Sequence, residues 1–175
     1  MKSNALFPVV FAMTFLASAL SPKLTNLFFP KSGTERYCNE RFEFCVEYPN
    51  GIFTETLYSD NGDGVILTTK NDQLQMTISG MHNPEDRSTE EVMDEILSEL
   101  DHKDMETSST DEQFVIRYVD EDNTAHYLQG LRLRDRYVYV ELSADKLRKL
   151  KMKIVTENLR VYDNPAISTG AVGAP

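Results

Sequence analysis

One stretch of hydrophobic alternation, residues 37–80, constrains the fold of this chain more than any other feature. Apolar side chains recur at every second residue in 42–48 and 74–79, and Val65, Leu67 and Thr69 alternate with Ile66 and Thr68. A period of two places each apolar set on one face of a strand, which is the pattern of a half-buried β-sheet. Turn-forming residues at 49–51 end the first run. The stretch therefore predicts two β-hairpins whose apolar faces pack on a core.

Both cysteines of the chain, Cys38 and Cys45, belong to the first hairpin. If the turn centres on Arg41 and Phe42, the two cysteines are directly opposite, where Cα atoms lie about 4.5–5.5 Å apart and a disulfide can form. Cys45 then shares a face with the glutamates, away from the aromatic core. The C-x₆-C spacing lacks the closer spacing of redox and zinc motifs, so a reactive or metal-binding pair is the lesser alternative. We predict a structural disulfide.

The N-terminus has the pattern of a secretory signal peptide, residues 1–19. Lys2 gives a weakly basic head, an uncharged apolar run follows, and Ala17-Ser18-Ala19 supplies the small residues of a cleavage site. An uncleaved membrane anchor is the alternative, but the apolar run is short for a span and contains Pro8. Export to the periplasm or outside the cell permits a disulfide.

The rest of the chain divides into a linker at 20–35, one globular domain at 36–162 and a disordered tail at 163–175. The formal net charge is −10. So acidic a balance argues against a nucleic-acid-binding protein and against a polybasic membrane-surface protein.

Helices alternate with strand groups along the predicted domain. Ser88 followed by Glu91 is a capping box that opens a helix over residues 88–100. After a polar loop at 107–112, residues 114–142 predict a three-stranded meander. Ser143 is the predicted cap of a last helix, whose buried stripe is Leu147, Leu150 and Ile154. This order predicts an α+β fold, an antiparallel β-sheet flanked by two main helices in an α/β/α sandwich.

No residue set in the sequence predicts catalysis, and we expect no cofactor and no metal site. Asp60 and Asp63 could offer oxygen ligands to calcium, but the glutamate that completes a calcium loop is missing, so a plain turn is favoured. His82, His102 and His126 are scattered. Ser108 and Ser109 near His102 and Asp104 suggest a hydrolase triad only weakly, because no nucleophile-elbow glycines accompany them.

Charged side chains are the candidate partner-binding residues. An acidic helix and a basic helix could be two solvated faces, or complementary docking surfaces for a protein. The arginines of the meander are a second candidate, although pairing with Glu121 and Glu141 across strands would explain them equally well. The candidate set is Glu91, Glu95, Arg117, Arg132, Arg134, Arg136, Lys146, Lys149 and Lys153.

Several short motifs resemble PsbP-like domains of the Mog/PsbP/DcrB type in exported bacterial proteins. They are RFEFCVEYP at 41–49, NGDG at 61–64, LQMTISG at 74–80, FVIRY at 114–118, HYLQG at 126–130 and NLRVY at 158–162. The resemblance covers about residues 37–162; the family usually lacks the cysteine pair.

The resemblance implies a non-enzymatic domain that binds other proteins, with no catalytic residues to carry over. The sequence therefore predicts an exported protein-binding domain, one version of which is an immunity protein that neutralises a delivered toxin. The alternatives are an accessory or envelope-maintenance factor of a membrane complex and, least favoured, a hydrolase. The expected partner is a toxin or an envelope complex, with membrane association only through an uncleaved N-terminus.

Overall fold

The computed structural model describes residues 33–100, 105–145 and 149–164 of the 175-residue chain. The predicted signal peptide, the predicted linker up to residue 32 and residues 165–175 of the predicted tail lie outside these ranges, so those assignments stay predictions. Within the described ranges, no helix is both long and apolar enough to cross a membrane.

The described chain forms two antiparallel sheets and two helices. In chain order the elements are β1 (Thr34–Asn39), β2 (Phe44–Pro49), β3 (Glu55–Tyr58), β4 (Gly64–Thr68), β5 (Leu74–His82), α1 (Thr89–Glu99), β6 (Glu106–Ser109), β7 (Gln113–Val119), β8 (Thr124–Leu133), β9 (Arg136–Asp145), α2 (Lys149–Asn158) and β10 (Arg160–Asp163). The sheets have the strand orders β1-β2-β10 and β3-β4-β5-β9-β8-β7-β6. β1 begins inside the predicted linker, and β10 ends one residue inside the predicted tail.

The first predicted hairpin is confirmed as β1–β2, with its cysteines in register. Cys38 is opposite Cys45, their Cα atoms are 4.1 Å apart, and the two form a disulfide. The second predicted hairpin is confirmed as β4–β5, and the predicted meander as β7–β8–β9. Period-two alternation was therefore a sufficient signal for these strands.

Cys45 is not part of the aromatic core cluster, as expected, but on the face of the glutamates it is buried. β10 pairs with the second edge of β2 and sets Tyr162 opposite Cys45. The Tyr162 hydroxyl donates to a Glu47 carboxylate oxygen at 2.9 Å, and the Arg36 guanidinium lies 5.9 Å from the centre of the Tyr162 ring. These contacts connect β1, β2 and β10 through their side chains.

Helix α1 covers one face of the seven-stranded sheet. Ser88 caps it in the predicted capping box with Glu91, so this expectation is confirmed. Val92 and Met93 pack against aromatic and aliphatic side chains of β7 and β9, among them Phe114 and Tyr137. The contacts of α1 reach β6, β7 and β8. The helix therefore lies mainly over the β6–β9 part of this face.

The opposite face of the same sheet carries the larger core. Residues next to those facing α1, such as Val138 and Val140, point to this side because strand side chains alternate. They pack with Phe44 and Val46 of β2 and with Val155 of α2. The three-stranded sheet and α2 together form this second layer. The expected α+β fold with an antiparallel sheet is confirmed, whereas the expected two-helix sandwich is not, because one layer contains a second sheet as well as a helix.

The start and the buried face of α2 differ from the sequence expectation. Ser143 does not cap a helix, because it lies in β9 opposite His126 of β8. In α2, Met152 and Val155 are buried whereas Leu150 is exposed. Leu147 lies outside the described residues. The predicted polar loop contains an extra edge strand, β6, whose four side chains are all exposed and therefore show no hydrophobic alternation.

The turn of the first hairpin is fixed to the larger sheet through Phe42. The Phe42 ring packs on Gly80 so closely that a Cβ there would lie 2.5 Å from Cγ of the ring. The Phe42 amide donates to the Asn39 side-chain oxygen at 2.9 Å. Its carbonyl accepts a hydrogen bond of 2.6 Å from the buried Arg136 guanidinium. The two sheets are therefore joined by packing and by hydrogen bonds at the same point.

Candidate functional site

A cleft of about 660 Å³ lies between α2 and the β6–β8 edge of the seven-stranded sheet. Its lining includes Arg117, Val119, Tyr127, Met152 and Lys153. The strands supply the floor, because residues 117, 119, 125 and 127 belong to the face that α2 also contacts. The helix supplies one wall.

The floor of the cleft is apolar, with one hydrophobic side chain partly open to solvent. Ala125, Tyr127 and Met152 are buried, and Val119 beside them is 38% exposed. Binding patches typically have an exposed apolar side chain next to buried apolar residues, because removing that side chain from water when a partner binds is favourable.

Charged groups of both signs surround this floor. The Arg117 guanidinium lies 5.2 Å from the centre of the Tyr127 ring, a cation–π distance. The Lys153 ammonium is 3.6 Å from a Glu157 carboxylate oxygen. The Glu106 carboxylate, opposite Arg117 across the β6–β7 ladder, adds a negative charge.

Tyr127 presents a neutral hydroxyl at the floor. Burial raises the pKa of this phenol above its usual value, although the nearby Arg117 acts in the opposite direction. The hydroxyl donates to the Gln129 side-chain oxygen at 3.1 Å, and Gln129 in turn donates to Gln113 at 2.8 Å. The chain of hydrogen bonds fixes the ring under Arg117.

The structure brings together two of the predicted partner-binding residues, Arg117 and Lys153, which line the same cleft from a strand and from a helix. The sequence could not show this pairing, because the two residues belong to different predicted groups, the meander arginines and the basic helix.

The other meander arginines point in different directions. Arg132 is bound to Asp86, and Arg134, at the turn between β8 and β9, lies 3.3 Å from Asp163. Arg136 is not on the surface: it is 6% exposed and its guanidinium is used inside the protein. Alternation along the strands separates these residues, and their carboxylate partners are not the predicted Glu121 and Glu141.

The acidic candidates on α1 already have local partners. The Ser88 amide and hydroxyl donate to Glu91, and these hydrogen bonds hold the pKa of that carboxyl below its usual value. Glu95 pairs with Arg87. Lys146 lies outside the described residues, as does the side chain of Lys149.

An aspartate–histidine pair that the sequence did not suggest lies on the α1 side of the sheet. His126 Nε2 is 2.9 Å from Asp120 Oδ2, and the imidazole stacks on Tyr118 with ring centres 4.5 Å apart. The hydrogen bond from His126 holds the pKa of Asp120 below its usual value. Both residues flank the β7–β8 turn, which is the signal that could have identified them.

This pair does not complete a nucleophile triad. Ser143 is directly opposite His126 in the ladder, yet the buried His126 Nδ1 has no hydrogen-bond partner. Of the earlier triad candidates, Ser108 and Ser109 are in β6, while His102 and Asp104 lie outside the described residues. The contacts with Asp120 and Tyr118 orient the His126 imidazole.

The Asp60–Asp63 segment forms a turn between β3 and β4. The Asn61 side-chain amide donates to an Asp63 carboxylate oxygen at 2.7 Å, and Gly62 has a φ of 74°, which favours glycine. Across the described parts of the chain, no three His, Cys, Asp or Glu side chains are grouped to hold a metal ion.

Comparison with known proteins identifies the fold alone. No protein-family model matches the chain, and no curated protein sequence matches it. Among solved structures, it is similar to the solution structure of cyanobacterial PsbP (CyanoP) from Synechocystis sp. PCC 6803. The TM-score is 0.52 at 15% sequence identity, over 75% of this chain and 94% of that chain. The chain therefore has a PsbP-like α+β fold.

Proposed function

We propose that this chain is an exported, non-catalytic domain that binds a partner protein through the cleft between α2 and the β6–β8 edge. The observation that carries the proposal is the exposed Val119 on a buried apolar floor, in a cleft that Arg117 and Lys153 also line. Interfaces combine an apolar centre with a charged rim in this way, and arginine is enriched in them.

Export is supported by the predicted signal peptide together with the Cys38–Cys45 disulfide. Disulfides persist in oxidising compartments and are rare in the cytosol. The PsbP-like fold is compatible with an accessory role, as the sequence resemblance implies. The rim, which mixes Arg117 and Lys153 with Glu106 and Glu157, fits a partner segment that carries charges of both signs around an apolar side chain.

The test compares two glutamate substitutions at equally exposed strand residues. Val119→Glu places a charge on the cleft floor, whereas Met81→Glu places the same charge on β5, where the side chain is 37% exposed against 38% for Val119. The full-length chain with a C-terminal tag is purified from its native envelope in each form, and co-purifying proteins are quantified.

We expect one protein to be enriched with the wild type and with Met81→Glu, and to fall by about tenfold with Val119→Glu, since an interface centre contributes at least 1–2 kcal/mol per critical residue. Equal recovery with both variants would place the interface elsewhere and refute the cleft.

The identity of that partner separates the two versions of the function. A secreted toxin whose lethality is suppressed by the wild type and not by Val119→Glu supports an immunity protein. A resident membrane complex supports an accessory or envelope-maintenance factor. Turnover of a substrate that His126→Ala abolishes in a folded protein would instead identify an enzyme.

A further inference from the structure

Among the described residues, no strand pairs with the outer side of the edge strand β3. It ends the seven-stranded sheet on the side away from β6, and all four of its residues are exposed. Leu57 and Tyr58 are 66% and 67% exposed although both are large and hydrophobic. An edge of this kind is a template for another strand, and proteins ordinarily protect it with charge, proline or a covering element.

The register shows which backbone groups of β3 are free to pair. The Ser59 amide donates to the Gly64 carbonyl at 3.1 Å, so the pair 59–64 is hydrogen-bonded. Bonding alternates along an antiparallel ladder, so residues 57 and 55 also bond to β4. The N–H and C=O groups of Thr56 and Tyr58 consequently point away from the sheet. Thr56 and Tyr58, two of the four residues of β3, therefore each offer one backbone donor and one backbone acceptor to another strand.

The side chains beside this edge form a shallow apolar socket. Leu57, Ile66 and Thr77 are consecutive partners across β3, β4 and β5, on the face that carries α1 at its other end. The socket has a volume of about 240 Å³ and includes Ile66 and Tyr58. The Tyr58 ring also lies 6.4 Å from the Tyr37 ring of β1. A segment added to β3 would therefore gain side-chain contacts as well as backbone hydrogen bonds.

The other described edge strands are β6, β1 and β10, and they lack this combination. β10 exposes only Arg160, and its other three residues are half-buried. β6 consists of four polar residues, Glu106–Ser109. β1 carries Arg36, which is bonded to Glu47 at 2.8 Å. Among the described edge strands, only β3 carries large hydrophobic side chains that are more than half exposed, namely Leu57 and Tyr58.

The acidic side chains near β3 indicate which kind of segment the edge strand binds. Glu55 begins β3, and Asp60 and Asp63 follow it, while the Arg41 guanidinium at this end is bonded to the Asn61 carbonyl. A second copy of this chain would bring the same acids together, against a net charge of −10 per chain. An extended segment with Lys or Arg next to apolar residues is complementary to them.

We propose that β3 binds an extended segment of another protein, with basic and apolar residues, as an added strand of the seven-stranded sheet. Backbone hydrogen bonds to Thr56 and Tyr58 supply the affinity, and the Leu57 socket and the flanking acids supply the selectivity. This surface is on the opposite edge of the sheet from the cleft and does not depend on it.

The test uses a phage-displayed library of random linear peptides, selected against the full chain. Thr56→Pro removes one outward N–H, which an edge strand tolerates, and Thr56→Ala keeps that N–H while removing the side chain. We expect enriched peptides to alternate apolar residues with Lys or Arg. Their affinity should be unchanged for Thr56→Ala and about tenfold weaker for Thr56→Pro, which corresponds to about 1.4 kcal/mol.

A second measurement does not depend on how the variant folds. The selected peptide is synthesised with N-methyl groups at alternate residues, in each of the two phases. One phase should abolish binding to the wild type and the other should not, because only one edge of an added strand pairs with β3.

Three results would overturn the proposal. They are no enriched peptide, equal loss of binding in both methylation phases, and a dimer of the chain that Thr56→Pro dissociates, which would make the occupant a second copy. Val119→Glu should leave peptide binding unchanged. A failure at β3 is thereby distinguished from a failure at the cleft.

Discussion

Arg136 joins the two sheets, and replacing it with methionine is expected to destabilise the fold strongly. Its guanidinium donates to the Phe42 carbonyl at 2.6 Å, from a side chain that is almost fully buried. It also lies 3.4 Å from Glu43 and 3.1 Å from Asp135. Methionine preserves much of the length of the side chain and removes every donor.

The magnitude follows from the buried hydrogen bond. A hydrogen bond that involves a charged group contributes about 1.5–3 kcal/mol, and a buried carbonyl left without a donor costs about 1–3 kcal/mol. The carboxylates of Glu43 and Asp135 are 42% and 70% exposed, so those contacts add little. Some recovery through methionine packing is expected. The free energy of unfolding should fall by about 2–4 kcal/mol for Arg136→Met.

Arg134→Met is the matched control, two residues away. Its guanidinium is 3.3 Å from Asp163, with both side chains substantially exposed, so the loss should stay below about 1 kcal/mol. Urea unfolding followed by circular dichroism, with the disulfide intact, gives both values. In thermal unfolding each kcal/mol corresponds to about 2–4 °C at this chain length.

Two outcomes would refute the reasoning. If Arg134→Met and Arg136→Met are equally destabilising, the Phe42 carbonyl does not depend on Arg136. If Arg136→Met is neutral or stabilising, the cost of burying the guanidinium cancels its hydrogen bonds, as happens for some buried ion pairs. Arg136→Lys, which keeps the charge, should lie between wild type and methionine.

Three further changes test other parts of the fold. The double variant Cys38→Ala/Cys45→Ala should lose about 2–3 kcal/mol of unfolding free energy, since the disulfide closes a loop with a sequence separation of 7, and dithiothreitol should no longer affect its midpoint. Gly80→Ala should cost about 1–3 kcal/mol in urea unfolding, because the ring packed on it is buried and cannot retreat; an unchanged midpoint would contradict the contact. Asp120→Asn should be less stable than wild type at neutral pH. The hydrogen bond from His126 holds the pKa of Asp120 in the folded protein below its usual value. The contribution of Asp120 to the free energy of unfolding is therefore present above the ordinary carboxyl pKa and is lost as the pH falls through the folded pKa. A stability difference between the variant and the wild type that persists in acid would refute this.

Local signals determined the elements whose partners are near in sequence. Alternation identified the hairpins and the meander, and the spacing of Cys38 and Cys45 identified the disulfide, because strands joined by a short turn pair with one another. The capping box at Ser88 and Glu91 was readable for the same reason: both groups belong to one turn of helix.

The sequence predicts less accurately the elements whose position depends on segments that are distant in the chain. β6 has no buried face, so it has no alternation to detect. The sequence predicts the start of the last helix too early, at Ser143, because a serine before an apolar run resembles a helix cap. In the structure, pairing with β8 extends β9 through Ser143. The burial of Cys45 depends on β10, which is more than a hundred residues away.

The sequence by itself determined the local alternation, the cysteine pair, the first helix cap and the acidic charge of this protein. Only the tertiary structure decided which charged side chains share a surface. It placed Arg117 and Lys153 on one cleft, turned Arg136 inward to the Phe42 carbonyl, and made β3 an outer strand among the described residues. The physical reason is that strand order and the face on which each side chain lies are set by packing between distant segments, which residue type alone does not specify.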